Sequence, residues 1–307
     1  MDLSSPQGSS VNDGIDPDEF SMHYIKLDQI ISMVLKHEPG ALMARFDVKA
    51  AYRNIAVYPD DQYLLGMKWR GQFFVDLALP FGLCSAPYIF NSLAGMVEWI
   101  ILNRYNVADL MHYLDNFLMA CPAGSNQCAQ NLQTSLAVCQ SLGLLLHPGK
   151  CIGPVTRLVV LGIELDSIEQ STHLPAEKLA NLQELIQSWR SRRWCTRRHL
   201  ESLIGHLHHA AKVVWPGHTF LRHMIDLLCC FCSHDHPIHL NSEFLPGIVR
   251  ASGCFQGCLP PPTWKSLWML QAPWVLALIL ILNGSVALGS AHKLINPLPI
   301  KNFSLCW

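Results

Sequence analysis

The stretch from Asp109 to Cys121 constrains this chain more than any other. Leu110-Met111-His112-Tyr113 is a short, mostly apolar run, Asp115 is an acidic tip, and Phe117-Leu118-Met119-Ala120-Cys121 is apolar again. Two such runs around a polar tip predict a β-hairpin with Asp115 near its turn. A second apolar run, Ala41 to Phe46, ends on Asp47 and passes through small residues to Tyr52. Alone, Asp47 reads more simply as a cap or turn residue. Together with the hairpin tip it supplies two carboxylates able to converge, the oxygen donors that hold Mg²⁺ beside phosphates. Two metals about 4 Å apart on such a site can activate a 3′-hydroxyl and steady a leaving pyrophosphate.

Between these segments lies Leu79-Pro80-Phe81-Gly82-Leu83-Cys84-Ser85-Ala86-Pro87. It predicts a Gly turn leading into a helix capped by Ser85, with Pro87 in the first turn and Ile89, Leu93, Met96, Val97 and Ile100 facing inward. An ordinary loop and helix explain the helix but not the turn before it. The three segments are specific only in combination, by their order and spacing.

The rest of the chain sets bounds. With 307 residues and 50% hydrophobic content it can bury the core of one large or two ordinary domains. A formal net charge of −1 means that any nucleic-acid contact needs a local argument. Twelve cysteines follow a polar start without a signal peptide, so the thiols read as reduced and the protein as intracellular, cytoplasmic or nuclear, and not secreted. The greasy run Trp274–Leu282 is broken by Asn283, Gly284 and Ser285 well short of the ~20 residues a membrane span needs, so no membrane partner is expected.

Helical periodicity appears at Ile25, Ile30, Ile31, Val34 and Leu35, closed by Pro39-Gly40, and again from Pro175 to about Cys232. There Leu179, Leu182, Ile186 and Trp189 mark one helix. Thr196 is the expected N-cap of a second, carrying Leu200, Leu203, Ile204 and Leu207. A third carries Phe220, Met224, Leu227 and Leu228. Beyond about Phe244 no periodic template fits.

On these residues the chain resembles reverse transcriptases of retrotransposons, and most closely the tyrosine-recombinase (DIRS-like) class, from about Asp2 to Glu243. Phe46-Asp47 is similar to the first palm motif, Leu79-Pro80-Phe81-Gly82 to the template and nucleotide-binding motif, and Tyr113-Leu114-Asp115-Asn116 to the Tyr-x-Asp-Asp hairpin. Gly143–Lys150 is similar to the next palm motif, Val160–Ile163 to the primer-grip hairpin, and Leu203–Lys212 to the connection after the thumb. The resemblance implies an α+β fold: a reverse-transcriptase palm with an antiparallel sheet backed by helices, followed by a helical thumb and connection. Residues 1–40 would be a remnant of the fingers-to-palm entry, 41–174 the palm and 175–243 the thumb and connection. Residues 244–307 would be a disordered or frame-shifted remnant of a ribonuclease H domain.

It also implies roles. Asp47 and Asp115 would bind Mg²⁺ or Mn²⁺, with the Val48 carbonyl as a further ligand. Tyr52 would be the steric gate against a ribose 2′-hydroxyl, and Phe81 and Gly82 would pack under the deoxynucleotide. Lys150 would sit near the triphosphate as a proton donor to pyrophosphate, a solvated lysine being the simpler reading. Leu161 and Gly162 would support the primer end on an RNA or DNA template.

Three departures from the family pattern matter. Asn116 stands where the family has a second hairpin aspartate, so the cluster loses one of three anions on which Mg²⁺ depends, and polymerase activity is expected to be severely reduced. Met1–Pro6 looks like the end of a fingers-to-palm segment whose upstream arginine would clasp the triphosphate, which leaves the nucleotide held on one side. Codons for Pro262–Pro273 can be chosen so that a shifted frame reads Val-Asp-Ala-Ser-Gly-Thr, a ribonuclease H opening. In that case the end of the chain is an accident of frame.

Two weaker signals remain. Cys229, Cys230, Cys232, His234, His236 and His239 crowd together, but their spacing fits no common zinc pattern and no zinc is expected. Lys178, Arg190, Arg192, Arg193, Arg197, Arg198, Lys212 and Arg222, with Trp189 and Trp194 interleaved, face few acids. They suit a surface that neutralises duplex phosphates, the alternative being a solvated basic helix face. The chain then reads either as a template-directed polymerase or as a non-catalytic remnant that binds primer–template duplex.

Overall fold

The computed structural model describes residues 2–213, 217–229, 231 and 237–240, and these form two compact units. The first comprises residues 1–161 with 165–169, the second residues 162–164 with 170 onward.

In the first unit a 3₁₀ turn at Asn12–Gly14 precedes α1 (Leu27–Leu35), which buries Ile30, Ile31, Met33 and Val34 and ends ahead of the left-handed Gly40. Strand β1 (Leu42–Asp47) follows. After two 3₁₀ turns, Ala51–Asn54 and Pro59–Leu65, comes a hairpin of β2 (Gly66–Trp69) and β3 (Gln72–Val75). Arg70 and Gly71, both at positive φ, make its turn, the geometry a two-residue hairpin loop demands. Helix α2 (Ala86–Arg104) leads to β4 (Leu110–Tyr113) and β5 (Asn116–Cys121), then α3 (Gln127–Ser141) and β6 (Ile152–Val155).

Strands β4, β5, β1 and β6 form one sheet in that order, and each neighbour pair is antiparallel. β1 is an interior strand in which Met43, Ala44, Phe46 and Asp47 are buried and Leu42 and Arg45 partly so, which explains why its apolar residues do not alternate strictly with polar ones. Helices α2 and α3 pack on the sheet, and the Phe46 and Phe117 rings stack across the β1–β5 pair with centroids 4.8 Å apart. β6 comes so close to β1 that a Cβ on Gly153 would lie 2.6 Å from the Ala44 Cα, an approach only glycine allows. Cys121, Cys128 and Cys139 are buried free thiols, and burial pushes the Cys139 thiol up to about 12, which makes it an inert part of the packing.

The face of α2 differs from the expected one. Ser85 stands at the N-cap but its side chain makes no capping bond, and its backbone is already helical. The buried positions are Ala86, Phe90, Ala94, Val97 and Ile101, whereas Met96 is exposed. Leu93 and Ile100 flank this stripe and are partly buried. A helix apolar nearly all round gives the sequence little to choose between adjacent faces.

After β6 the chain forms β7 (Arg157–Val160), turns at Leu161-Gly162 and continues as β8 (Ile163–Asp166) and β9 (Ser171–His173). Both turn residues have positive φ, 49° and 77°. The second unit is largely helical: α4 (Ala176–Arg190), the short β10 (Trp194–Cys195), α5 (Arg197–Ala211), α6 (Gly217–Leu228) and β11 (Ile238–His239), which pairs with β10. Its core holds Leu182, Ile186, Trp189, Leu200, Leu203, Leu207 and Met224, as the periodicity predicts. Thr196 caps α5 as expected, its side-chain oxygen accepting from the His199 N–H at 3.4 Å. Among the described residues no helix is long and apolar enough to cross a membrane. Trp274–Leu282, the frame-shift segment and most of the Cys229–His239 cluster lie outside the described residues.

Candidate active site

The antiparallel register places Asp47, the last residue of β1, directly opposite Asn116, the first of β5. Asp115 is in the turn just before, after Leu114 at positive φ, so the acidic tip is where the sequence expects it. The Val48 N–H donates to the Asp115 carbonyl at 2.9 Å, and the His147 N–H donates to the Asp47 carbonyl at 2.9 Å. Three chain segments are thereby tied together by their backbones before any side chain is considered.

Asp47 is only 3% exposed. A buried carboxylate needs a partner, and Lys150 supplies it: its Nζ lies 3.0 Å from Asp47 Oδ2. Asn116 Nδ2 donates to Asp115 Oδ1 at 3.2 Å. Burial, and after it the negative charge of Asp47, push the Asp115 carboxyl above the usual range, while Lys150 and Asn116 oppose the shift. The two carboxylates therefore sense each other. Their hard oxygens fit Mg²⁺ or Mn²⁺ in kind. Among the described residues, however, no group of three or more His, Cys, Asp or Glu side chains is placed to hold a metal ion, so this site offers at most two anionic donors.

Tyr52 and Phe81 meet, with ring centroids 5.1 Å apart, and Tyr52 also packs edge-on against Phe90 of α2 at 5.9 Å. Phe81 and Gly82 are exposed, Gly82 at a φ of 94° that suits glycine. Burial first, then the charges of Tyr24 and Asp115, raise the Tyr52 hydroxyl above its ordinary value.

Four supporting contacts escape sequence reasoning. Asn12 Nδ2 donates to the Gly82 carbonyl at 2.9 Å, and Asn12 Oδ1 accepts from the Cys84 N–H at 3.0 Å, clamping the Gly turn. Tyr24 packs on Tyr113 at 5.1 Å, beside the hairpin. Glu98 of α2 pairs with His112 of β4, bracing the hairpin from behind.

Leu161 and Gly162 form the β7–β8 turn. The Gly162 carbonyl accepts from His209 Nε2 of α5 at 3.2 Å, and Lys178 Nζ stands 3.4 Å from the same nitrogen. Burial first, then the charges of Lys178, Lys212 and His206, hold His209 below its ordinary value, so the neutral ring donates to the turn. A cavity of about 580 Å³ in the second unit is lined by Lys178, Asn181, Ser202, His206 and His209 among others.

The five arginines are not equivalent. Arg190, Arg193 and Arg198 are exposed. Arg192 lies over the Trp189 ring at 4.9 Å, and Arg197 pairs with Glu201 at 2.8 Å. Arg222, the outlying member of the basic stretch, pairs with Asp226.

Residues 9–165, just over half of the chain, match the family model described as reverse transcriptase (RNA-dependent DNA polymerase). The Transposon Tf2-7 polyprotein of Schizosaccharomyces pombe is 21% identical over 206 residues, covering 66% of this chain and 14% of the polyprotein. The Tf2-3 polyprotein of the same yeast is 21% identical over 202 residues, with the same coverage. The chain thus spans a small part of these curated relatives. Among solved structures, a foamy viral protease-reverse transcriptase in complex with RNA/DNA hybrid superimposes with a TM-score of 0.59 at 15% identity, over 73% of this chain and 28% of that one. The same viral protein in complex with dsDNA gives 0.59 at 14% identity, over 92% and 66%. Both share the α+β architecture of a palm sheet with packed helices. This chain belongs to the reverse transcriptase family.

Proposed function

We propose that this chain is the palm, thumb and connection of a retrotransposon reverse transcriptase, closest to the DIRS-like tyrosine-recombinase class, whose own polymerase activity is lost or severely reduced. The parent reaction is template-directed DNA synthesis by nucleotidyl transfer from deoxynucleotides on a primed RNA or DNA template. In this reading residues 1–40 belong to the fingers-to-palm entry, 41–174 to the palm and 175–243 to the thumb and connection.

Asp47 and Asp115 would hold Mg²⁺ or Mn²⁺, with the Val48 carbonyl beside them. The chemistry such ions supply when bound is activation of the primer hydroxyl and stabilisation of the leaving pyrophosphate. Tyr52, resting on Phe81, limits the space beside the nucleotide sugar, and Phe81 with Gly82 forms the floor beneath it. Lys150, whose ammonium stands beside Asp47, would be the proton donor to the leaving pyrophosphate. Leu161 and Gly162 support the primer end, the Gly162 carbonyl being held by His209.

One observation carries the loss of activity: Asn116 occupies the position facing Asp47, and its amide N–H donates to Asp115. An amide there removes a negative charge from the ion site and engages an oxygen that a metal would use. The test is primer extension by the full chain and its Asn116→Asp variant, with Mg²⁺ and with Mn²⁺. No extension by the unmodified chain is expected, and robust synthesis by it would refute the reading.

A second reading, a non-catalytic protein that binds primer–template duplex, draws on the second unit. Arg197 and Arg198 stand in the first turn of α5, the positive end of its dipole, where cations are disfavoured and a phosphate would relieve the charge. Arg190 and Arg193 extend this basic surface. Duplex binding that weakens with salt, without extension, is the outcome that selects this reading.

A further inference from the structure

We propose that Lys150 is a resident counter-cation of the carboxylate pair, and that a divalent ion can enter only as its ammonium withdraws from Asp47. The inference rests on the reading of Asp47 and Asp115 as the ion site.

The partners of Asp47 carry the argument. Its side chain is almost fully buried, and among the described residues Lys150 Nζ is the donor within hydrogen-bond distance of its carboxylate, at 3.0 Å. Lys150 itself is anchored loosely. Its side chain is 52% exposed, it is the last residue of the 3₁₀ turn Pro148–Lys150, and its N–H donates to the His147 carbonyl at 3.0 Å. One end of the pair is thus fixed in the sheet while the other can swing into solvent. Asp115, meanwhile, is engaged by the Asn116 amide and lies within the field of Lys150.

This arrangement satisfies the site without a metal. A buried carboxylate left alone is costly, and the ammonium removes that cost by occupying ground the metal would need. Asn116 deepens the effect. With two anions in place of three, the lysine charge offsets half of the acidic charge, so the attraction left for an incoming cation is small. In a site with a third carboxylate the same lysine would be a weaker competitor. Once displaced, the ammonium is free to meet a phosphate, so a counter-cation in the empty site and a proton donor in the loaded one are successive positions of one side chain.

The experiment is Mn²⁺ titration of the full chain, followed by electron paramagnetic resonance, for the unmodified protein, Lys150→Met, Lys150→Arg and Asp47→Asn. Lys150→Met should bind Mn²⁺ at least about fivefold tighter, the factor equivalent to two unit charges 4 Å apart in water. Lys150→Arg should resemble the unmodified protein, and Asp47→Asn should lose binding. Unchanged or weaker binding by Lys150→Met, with Asp47-dependent binding in the unmodified chain, overturns this inference and leaves the ion site standing. Absence of Mn²⁺ binding in every variant overturns both. Should Lys150→Met not fold, acylation of the unmodified protein decides instead. The rate at Lys150, read by mass spectrometry against Lys36, should rise at least severalfold when Mn²⁺ is bound, and an unchanged rate sinks the inference.

Discussion

Asp47 and Asn116 face each other across the β1–β5 ladder, so their side chains share one face of the sheet. Directly opposite residues have Cβ atoms about 4.5–5.5 Å apart, and like charges there destabilise. Asn116→Asp would set a second carboxylate against a buried one and remove the amide that donates to Asp115. In EDTA this variant should melt below the unmodified protein, by a loss of about 1 kcal/mol or more, because the site is more buried than the exposed pairs on which that figure rests. Millimolar Mg²⁺ should reverse the loss in the variant and shift the unmodified protein less. Thermal melts with and without metal read this directly, and a variant that melts alike in both solutions would show that the facing charges are not felt.

Asn12 reaches the Gly turn from some seventy residues away, bonding the Gly82 carbonyl and the Cys84 N–H. Each such bond contributes about 0.5–1.5 kcal/mol, and exposure puts these two at the lower end. Asn12→Ala should therefore cost about 1–2 kcal/mol in urea unfolding. It should also speed amide hydrogen exchange around residues 81–85 while leaving β1 and β5 protected. Faster exchange everywhere, or nowhere, would assign Asn12 a different part.

These residues show which parts of the molecule are legible from sequence. Asp47 and Asp115 announce themselves because each ends an apolar run, and period and polarity break at the same point. Thr196 and the Leu182, Ile186, Trp189 stripe are readable because a helix in a two-layer core buries one face. Asn12, Tyr24 and the Glu98–His112 pair are not, since a side-chain bridge between distant segments leaves no period in either. The β2–β3 hairpin departs from simple hydrophobic patterning: Trp69, Phe73, Phe74 and Val75 are apolar yet exposed. The face of α2 is easily misplaced because apolar residues surround that helix, so only the packing partners choose between Leu93 and Ala94.

Asp166 provides a pH test. Burial alone would push its carboxyl up, but the N–H groups of Glu169 and Ile168 and the nearby Arg157 together hold it below the ordinary value of 3.8. Arg157 Nε is 2.6 Å from Oδ2 as an ion-pair contact rather than an aligned hydrogen bond. A depressed native pKa means that the unfolded chain takes up the proton first as pH falls. The stabilisation is therefore complete above 3.8 and is lost as pH drops from there through the native value. Asp166→Asn should be least stable relative to the unmodified protein near neutral pH, with the gap closing below 3.8. Urea unfolding at a series of pH values measures that gap, and a constant difference would mean that packing, not charge, is what Asp166 contributes.

Arg190, Arg193 and Arg198 are exposed, whereas Arg222 is already paired with Asp226. If the basic surface of the second unit tracks a duplex, each neutralised phosphate releases a condensed counterion, and the slope of log affinity against log salt records their number. Replacing the three exposed arginines with glutamine should weaken duplex binding at low salt and flatten that slope by about 0.9 for each phosphate no longer neutralised. The weakening should be similar for different duplex sequences, since phosphates carry no base identity. Arg222→Gln is the control and should leave the slope unchanged. A triple variant that binds with the same slope as the unmodified chain would reduce these arginines to a solvated helix face, whereas a change confined to one duplex sequence would mean that they read bases.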